Sequence, residues 1–116
     1  MSLISLSLGR TRLSKTPARE RLTVRGSNLR QNLTVVIRDS VTGLWTLVAP
    51  VRVSRDGTTI DIEAQHGGVP STGLRHLGIS GDVDATIVVI VTNPGSQPVL
   101  VQSRITFATT DLTTPP

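Results

Sequence analysis

Residues 22–39, LTVRGSNLRQNLTVVIRD, contain two strand patterns separated by a short polar break. Apolar residues occupy every second position in 22–25 and again in 33–37, which is the period of a β-strand with one buried face. Gly26 and Asn28 lie in the break, and both residue types accept backbone angles that others adopt only at a cost. We therefore expect two strands here, joined by a segment that carries the chain from one sheet to another.

The same period of two continues on both sides of this stretch. Near the N-terminus, Ile4, Leu6 and Leu8 alternate with serines, which indicates a strand with these three side chains on its buried face. Further along, Asp56-Gly57 separates two alternating segments, and this dipeptide suits the tight turns that match strand twist. The second of these segments is expected to point Ile60, Ile62 and Ala64 inward and Asp61 and Glu63 toward water.

Residues 87–91 are apolar throughout, which indicates a central strand that is covered on both faces or that lies at an assembly contact. A turn rich in proline and glycine follows, and residues 99–109 return as another strand. A strand is also expected at 44–48, with Trp45 in the core. No segment shows sustained helical periodicity, so the chain is predicted to be an all-β, antiparallel β-sandwich of about seven to nine strands.

Residues 22–62, with LTVRGSNL, LTVVIRD, GLW and VSRDGTTIDI, resemble immunoglobulin-like domains of the IPT/TIG type and related early-set sandwiches. TIVVIVTNPGSQPVLVQSRITF, residues 86–107, is similar to their closing hairpin. The resemblance implies an immunoglobulin-like β-sandwich that serves as a binding or spacer module. The small, cysteine-free, threonine- and valine-rich chain is also similar in character to the decoration or cement proteins of bacteriophage capsids.

Positive charge is concentrated at the front of the chain. Residues 1–38 contain eight basic residues and a single acidic one, Glu20, whereas the remainder contains four basic and seven acidic residues. We expect residues 1–19 to form an N-terminal strand and a basic arm that crosses the surface as a loop. Residues 20–110 are expected to form the sandwich, and residues 111–116 an extended tail.

Two regions are predicted to contact a partner: the basic arm and the long glycine-rich segment at 66–84. Loops of this length in a compact domain tend to be functional or to pack as a lid. The predicted partner-binding residues are Arg10, Arg12, Lys15, Arg19, Arg21, Leu74, Arg75, His76 and Leu77.

Catalytic and metal-binding chemistry finds little support in the residue pattern. The chain has no cysteine, which excludes disulfides and thiolate catalysis. His66 and His76 match no zinc spacing, and we expect both to be exposed loop residues. Asp61 and Glu63 are expected to lie on a solvated sheet face with salt bridges to Arg52 or Arg55. No nucleophile motif or phosphate-binding loop is present, so we predict a protein that is not an enzyme and that uses no metal or cofactor.

Two classes of function remain for such a chain. Arginine outnumbers lysine eleven to one, and arginine is favoured at ordered protein interfaces. The leading hypothesis is a structural protein, such as a capsid decoration or cement protein, that binds a protein scaffold or neighbouring subunits and forms a homo-oligomer. The alternatives are a module that binds nucleic acid or polysaccharide, or an immunoglobulin-like spacer or adhesion domain of a larger surface assembly.

The expected location follows from the absence of targeting signals. The apolar run at 85–91 is far shorter than the ~20 residues of a membrane-spanning helix. The opening MSLISLSLGR has no positive charge ahead of its apolar part, unlike a secretory signal. We expect a soluble chain without a membrane partner, at a virion surface or in another extracellular assembly.

Overall fold

Residues 1–69 and 82–108 are described by a computed structural model, and this part of the chain contains β-strands and no helix. The strands are β1 (Ser2–Leu8), β2 (Arg12–Leu13), β3 (Arg19–Ser27), β4 (Thr34–Asp39), β5 (Gly43–Leu44), β6 (Thr46–Leu47), β7 (Arg52–Val53), β8 (Thr59–Gln65), β9 (Val83–Thr92) and β10 (Val99–Phe107). The predicted all-β class is confirmed. Four of these ten strands have only two residues, which explains why the sequence predicted fewer.

The strands form two five-stranded sheets that pack against each other. Sheet A has the order β1-β3-β8-β6, with β7 also paired to β8, and sheet B has the order β2-β10-β9-β4-β5. All pairings are antiparallel among the described residues except the short parallel pairing of β2 with β10.

The core lies between the sheets and is built by strict alternation along the long strands. Ile60, Ile62 and Ala64 of β8 are buried as predicted, and they face inward together with alternate residues of β3, β4, β9 and β10. Each buried leucine, isoleucine or valine contributes roughly 1.5–3 kcal/mol relative to an exposed one. The apolar alternation in the sequence therefore accounts for the closure of the two sheets.

The polar break at 26–33 does carry the chain from sheet A to sheet B, as expected. Asn28 adopts a left-handed conformation with φ of 56°. Gly26 has a different role from the predicted one: it is not left-handed, but a Cβ there would lie 2.2 Å from the carbonyl oxygen of Ser2. The buried Asn93 then fixes the connection, because its amide donates to Asn28 O (2.7 Å) and accepts from Arg30 N (3.1 Å).

The strand predicted at 44–48 is divided between the two sheets. Gly43–Leu44 pairs with β4 in sheet B, whereas Thr46–Leu47 pairs with β8 in sheet A. Trp45 lies at the crossing and is buried in the core, which confirms its prediction. The chain changes sheet here because Asp39 holds the preceding turn and also accepts the indole N–H of Trp45 at 2.6 Å.

The N-terminal strand β1 forms the edge of sheet A, paired with β3 over its whole length. A β-bulge between Leu3 and Ser5 shifts the register and turns Ile4 outward, where its side chain is 73% exposed. Leu3, Leu6 and Leu8 pack against the core instead. The predicted inward position of Ile4 is therefore wrong, because a bulge breaks the two-residue period.

The predicted surface course of residues 10–19 is also wrong in its middle. Leu13 and Ser14 are buried, and β2 pairs with the end of β10. Val69 N donates to Lys15 O (2.9 Å), and His66 N donates to Ala18 O (3.1 Å). Residues 12–18 therefore connect sheet B, through β2, with the segment that follows β8 of sheet A.

Candidate interaction surfaces

Arg10 and Arg12, two of the predicted partner-binding residues, form ion pairs within the chain. Arg10 holds the buried carboxylate of Glu20 with bonds of 2.6–3.0 Å, and this hydrogen bonding raises the pKa of Arg10. Arg12 pairs with Asp82 at 3.0 Å on the exposed surface. Both guanidinium groups thus attach the front of the chain to its own sandwich, which leaves less of their charge for a partner.

Arg19 and Arg21 are presented differently. Together with Arg25 they occupy outward positions of β3, with Thr23 at the outward position between Arg21 and Arg25, and all three arginine side chains are exposed. Successive outward positions on a strand are about 7 Å apart, so these arginines form a row along the outer face of sheet A that Thr23 interrupts. Among the described residues none of the three forms a salt bridge. Lys15 lies apart from this row and is half-buried.

The structure describes only part of the second predicted contact region, the segment at 66–84. Leu74, Arg75, His76 and Leu77 lie outside the described residues, so their predicted role stays a prediction. The described part of that region begins with His66, Gly67, Gly68 and Val69, which continue β8 without further strand pairing.

His66 was predicted to be exposed, and the structure places it in the core at 1% exposure. Its ring lies 5.4 Å from Trp45 and 5.2 Å from Phe107, measured between ring centroids. Nδ1 donates to Gly67 O at 2.6 Å, since a carbonyl oxygen can only accept, and Nε2 has no hydrogen-bond partner among the described residues. His66 thus joins the chain's only two aromatic residues in one buried cluster.

Asp61 and Glu63 lie on the outer face of β8, beside the arginine row of β3. Arg21 and Arg52 complete an open cleft of about 300 Å³ around them. Thr23 donates to Asp61 at 3.4 Å, and the predicted salt bridges to Arg52 or Arg55 are not formed among the described residues. The outer face of sheet A is therefore polar and carries both signs of charge.

The outer face of sheet B differs in carrying an apolar row beside its polar residues. Strand register places Val36, Ile90 and Leu100 side by side in one row across β4, β9 and β10. Val36 is 45% exposed and Leu100 is 58% exposed, with Ile90 half-buried between them. An uncharged apolar row thus crosses three strands on the surface, and contiguous exposed apolar residues are more informative than scattered ones.

Two further rows of this face lie on the side toward the start of β9. Arg38, Val88 and Gln102 form the second row, and Ser40, Thr86 and Arg104 form the third. We call these three rows the sheet B outer face. Its charged side chains within these rows are Arg38 and Arg104, and neither forms a salt bridge with a described residue.

The sequence contained a partial signal for this surface. The unbroken apolar run at 87–91 indicated a strand that is covered on both faces or that lies at an assembly contact. One face of β9, with Ile87, Val89 and Val91, is buried in the core. Sequence reasoning missed Val36 and Leu100, because only strand pairing shows that they flank Ile90.

Comparisons of the chain with protein families, with curated proteins and with solved structures find no match. Within residues 1–69 and 82–108, no helix is long and apolar enough to cross a membrane. In the same part of the chain, no group of three or more histidine, cysteine, aspartate or glutamate residues is arranged to hold a metal ion.

Proposed function

We propose that this chain is a non-enzymatic assembly protein that acts by binding other protein subunits. The observation that carries the proposal is the apolar row of Val36, Ile90 and Leu100 on an otherwise compact sandwich. An exposed row of this kind costs free energy in water, and this cost is removed when another protein surface covers it.

Two features of the fold suit such a role. The burial of Leu13 and the Arg10–Glu20 ion pair attach the N-terminal segment to the sandwich, so the outer sheet faces belong to one folded unit. A surface that is already ordered loses little conformational entropy when it binds. The narrower interpretation, a decoration or cement protein of a virus particle built on an immunoglobulin-like sandwich, rests on the resemblance of residues 22–62 and 86–107 and on the chain's overall character.

Sedimentation of an extract from the native source tests this proposal. A tagged chain should co-sediment with a large particle, and Leu100→Lys should release it, because a charge in the apolar row opposes its burial. Ile4→Lys is the matched control, since Ile4 is also apolar and is even more exposed than Leu100 but lies on β1 of sheet A. Sedimentation of the wild-type chain at the mass of a free protein would contradict an assembly role.

A second function, binding to a polyanion, is favoured by the row of Arg19, Arg21 and Arg25. If this row binds phosphate or sulfate groups, retention on heparin should fall steeply with salt, because each contact releases condensed counterions. Arg21→Gln should then elute at lower salt than Arg104→Gln, which removes the same charge from sheet B. Equal elution of the two variants would show that only net charge acts.

A further inference from the structure

Under one two-fold arrangement, the rows of the sheet B outer face lie against the same rows of a second copy. Consider two copies whose sheet B outer faces lie against each other. They are related by a two-fold axis that runs parallel to β9, midway between the two facing B sheets. Such an axis keeps the strand direction and places β4 of one copy over β10 of the other, while β9 lies over β9. Residues of one row then meet residues of the same row in the second copy.

Each row matches its two-fold image in chemistry. In the first row Val36 meets Leu100 of the second copy, and Ile90 meets its own equivalent. In the second row the guanidinium of Arg38 meets the amide of Gln102, which can accept its hydrogen bonds. In the third row Arg104 meets the hydroxyl of Ser40. No arginine lies directly opposite an arginine, but Arg38 of one copy lies over β10 of the other, one row from Arg104, so burial of the face brings like charges near each other and weakens the dimer.

We propose that two copies of this chain form a face-to-face dimer through the sheet B outer face, about a two-fold axis parallel to β9. This inference rests on the proposed function and names a second copy of the chain as the first subunit bound. Isologous contacts of this type are the commonest way in which identical subunits associate. Aligned packing of two sheets about 10 Å apart would create a four-layer arrangement.

The size of the face sets the expected strength of the dimer. Three strands spaced about 4.8 Å apart and three rows spaced about 6.8 Å apart present roughly 300 Å² per copy, and β5 and β2 add to it. The total for two copies is below the range of roughly 1,200–2,000 Å² for stable interfaces. We therefore expect a weak dimer with a Kd of roughly 100 µM.

The charge of the chain predicts how the dimer responds to salt. Each copy has a formal net charge of +4, so two copies repel each other at long range. Added salt screens this repulsion, and the dimer should become tighter between about 0.05 and 0.5 M NaCl. Binding of the same face to an acidic protein would become weaker over this range.

Sedimentation velocity on the purified chain at 5–500 µM provides the test. The weight-average mass should rise from 12.4 kDa toward twice that value as concentration increases. Leu100→Lys should reduce association at least tenfold, and Leu100→Ser provides a milder variant if the lysine disturbs folding. Ile4→Lys should associate like the wild type, and the fluorescence of Trp45 reports whether each variant is folded.

A cross-linking experiment tests the axis itself. Because the chain has no cysteine, Val88→Cys introduces a single thiol close to the proposed axis. A short bis-maleimide should join two such chains, whereas Ser7→Cys on β1 should stay uncoupled.

A chain that stays monomeric at 500 µM, or a dimer that Leu100→Lys leaves intact, would overturn the dimer. If that chain still co-sediments with a native particle through Leu100, the assembly function stands and only the identity of the partner is wrong. Loss of both results would reject the assembly function as well.

Discussion

At the scale of single residues, Asp39 organises the passage between the two sheets. Its carboxylate accepts from the backbone N–H groups of Val41 and Thr42 at 2.7 and 2.6 Å, and from the indole of Trp45 at 2.6 Å. The side chain of Thr42 adds a further bond to the same carboxylate. A buried carboxylate is tolerated here because several donors surround it.

Replacing Asp39 with alanine should lower the free energy of unfolding by about 2 kcal/mol, because it leaves the buried indole N–H of Trp45 and the partly buried N–H groups of Val41 and Thr42 without this partner. Asp61→Ala is the matched control, since Asp61 is exposed and should cost less than about 0.5 kcal/mol. Urea unfolding monitored by the single tryptophan measures both variants. Equal losses for the two variants would contradict the role assigned to Asp39.

Gly26 shows a different kind of constraint, imposed by space. A Cβ at this position would lie 2.2 Å from Ser2 O, so Gly26→Ala should push β1 away from β3 and cost about 1–3 kcal/mol. At Gly9 the nearest atom to an added Cβ is 3.8 Å away, and Gly9→Ala should be close to neutral. Thermal unfolding and amide exchange of β1 compare the two, and an unchanged Gly26→Ala would show that β1 adapts readily.

At the scale of elements, the β7–β8 hairpin is held by its turn. Ser54 Oγ and Thr58 Oγ1 each donate to Asp56 at 2.7 Å, and Gly57 takes the left-handed conformation with φ of 69°. A Cβ at Gly57 would also approach Leu29 O to 2.9 Å, so the turn packs against the 26–33 connection. The sequence predicted this hairpin from Asp56-Gly57, because turn chemistry is local.

Hydrogen bonds from Ser54 and Thr58 lower the pKa of Asp56 below its ordinary value of 3.8. Because the folded state favours the ionised form, this turn stabilises the fold above the unfolded pKa and loses that effect as pH falls through the lower folded pKa. Ser54→Ala should raise the pKa of Asp56 toward 3.8 in an NMR titration. Asp56→Asn should make stability less dependent on pH below 4 than in the wild type. An Asp56 pKa that Ser54→Ala leaves unchanged would contradict this account.

At the scale of the whole molecule, the N-terminal segment completes the sandwich. Leu13 is fully buried, β1 covers the edge of β3, and Leu3, Leu6 and Leu8 pack against the core. The basic charge of this segment suggested an arm that reaches outward. Its leucines instead pack it against the sandwich, and Arg10 adds an ion pair with Glu20.

Removal of residues 1–19 should therefore prevent stable folding, because it exposes the core along one side. A smaller change tests the same point: Leu13→Ala should cost about 2–5 kcal/mol, whereas Ile4→Ala should cost little. Circular dichroism and denaturant unfolding measure all three chains. A truncated chain that still unfolds cooperatively would show that the remaining strands close without the segment.

The sequence by itself determined the class of the fold and the inward face of most strands, since a period of two is a local property of the chain. It also located the hairpin turn and the buried tryptophan. Only the tertiary structure decided which outward residues stand together: Val36, Ile90 and Leu100 are far apart in sequence and share a row through strand register. The tertiary structure also decided the bulge at Ile4 and the burial of His66, because both depend on contacts with distant strands.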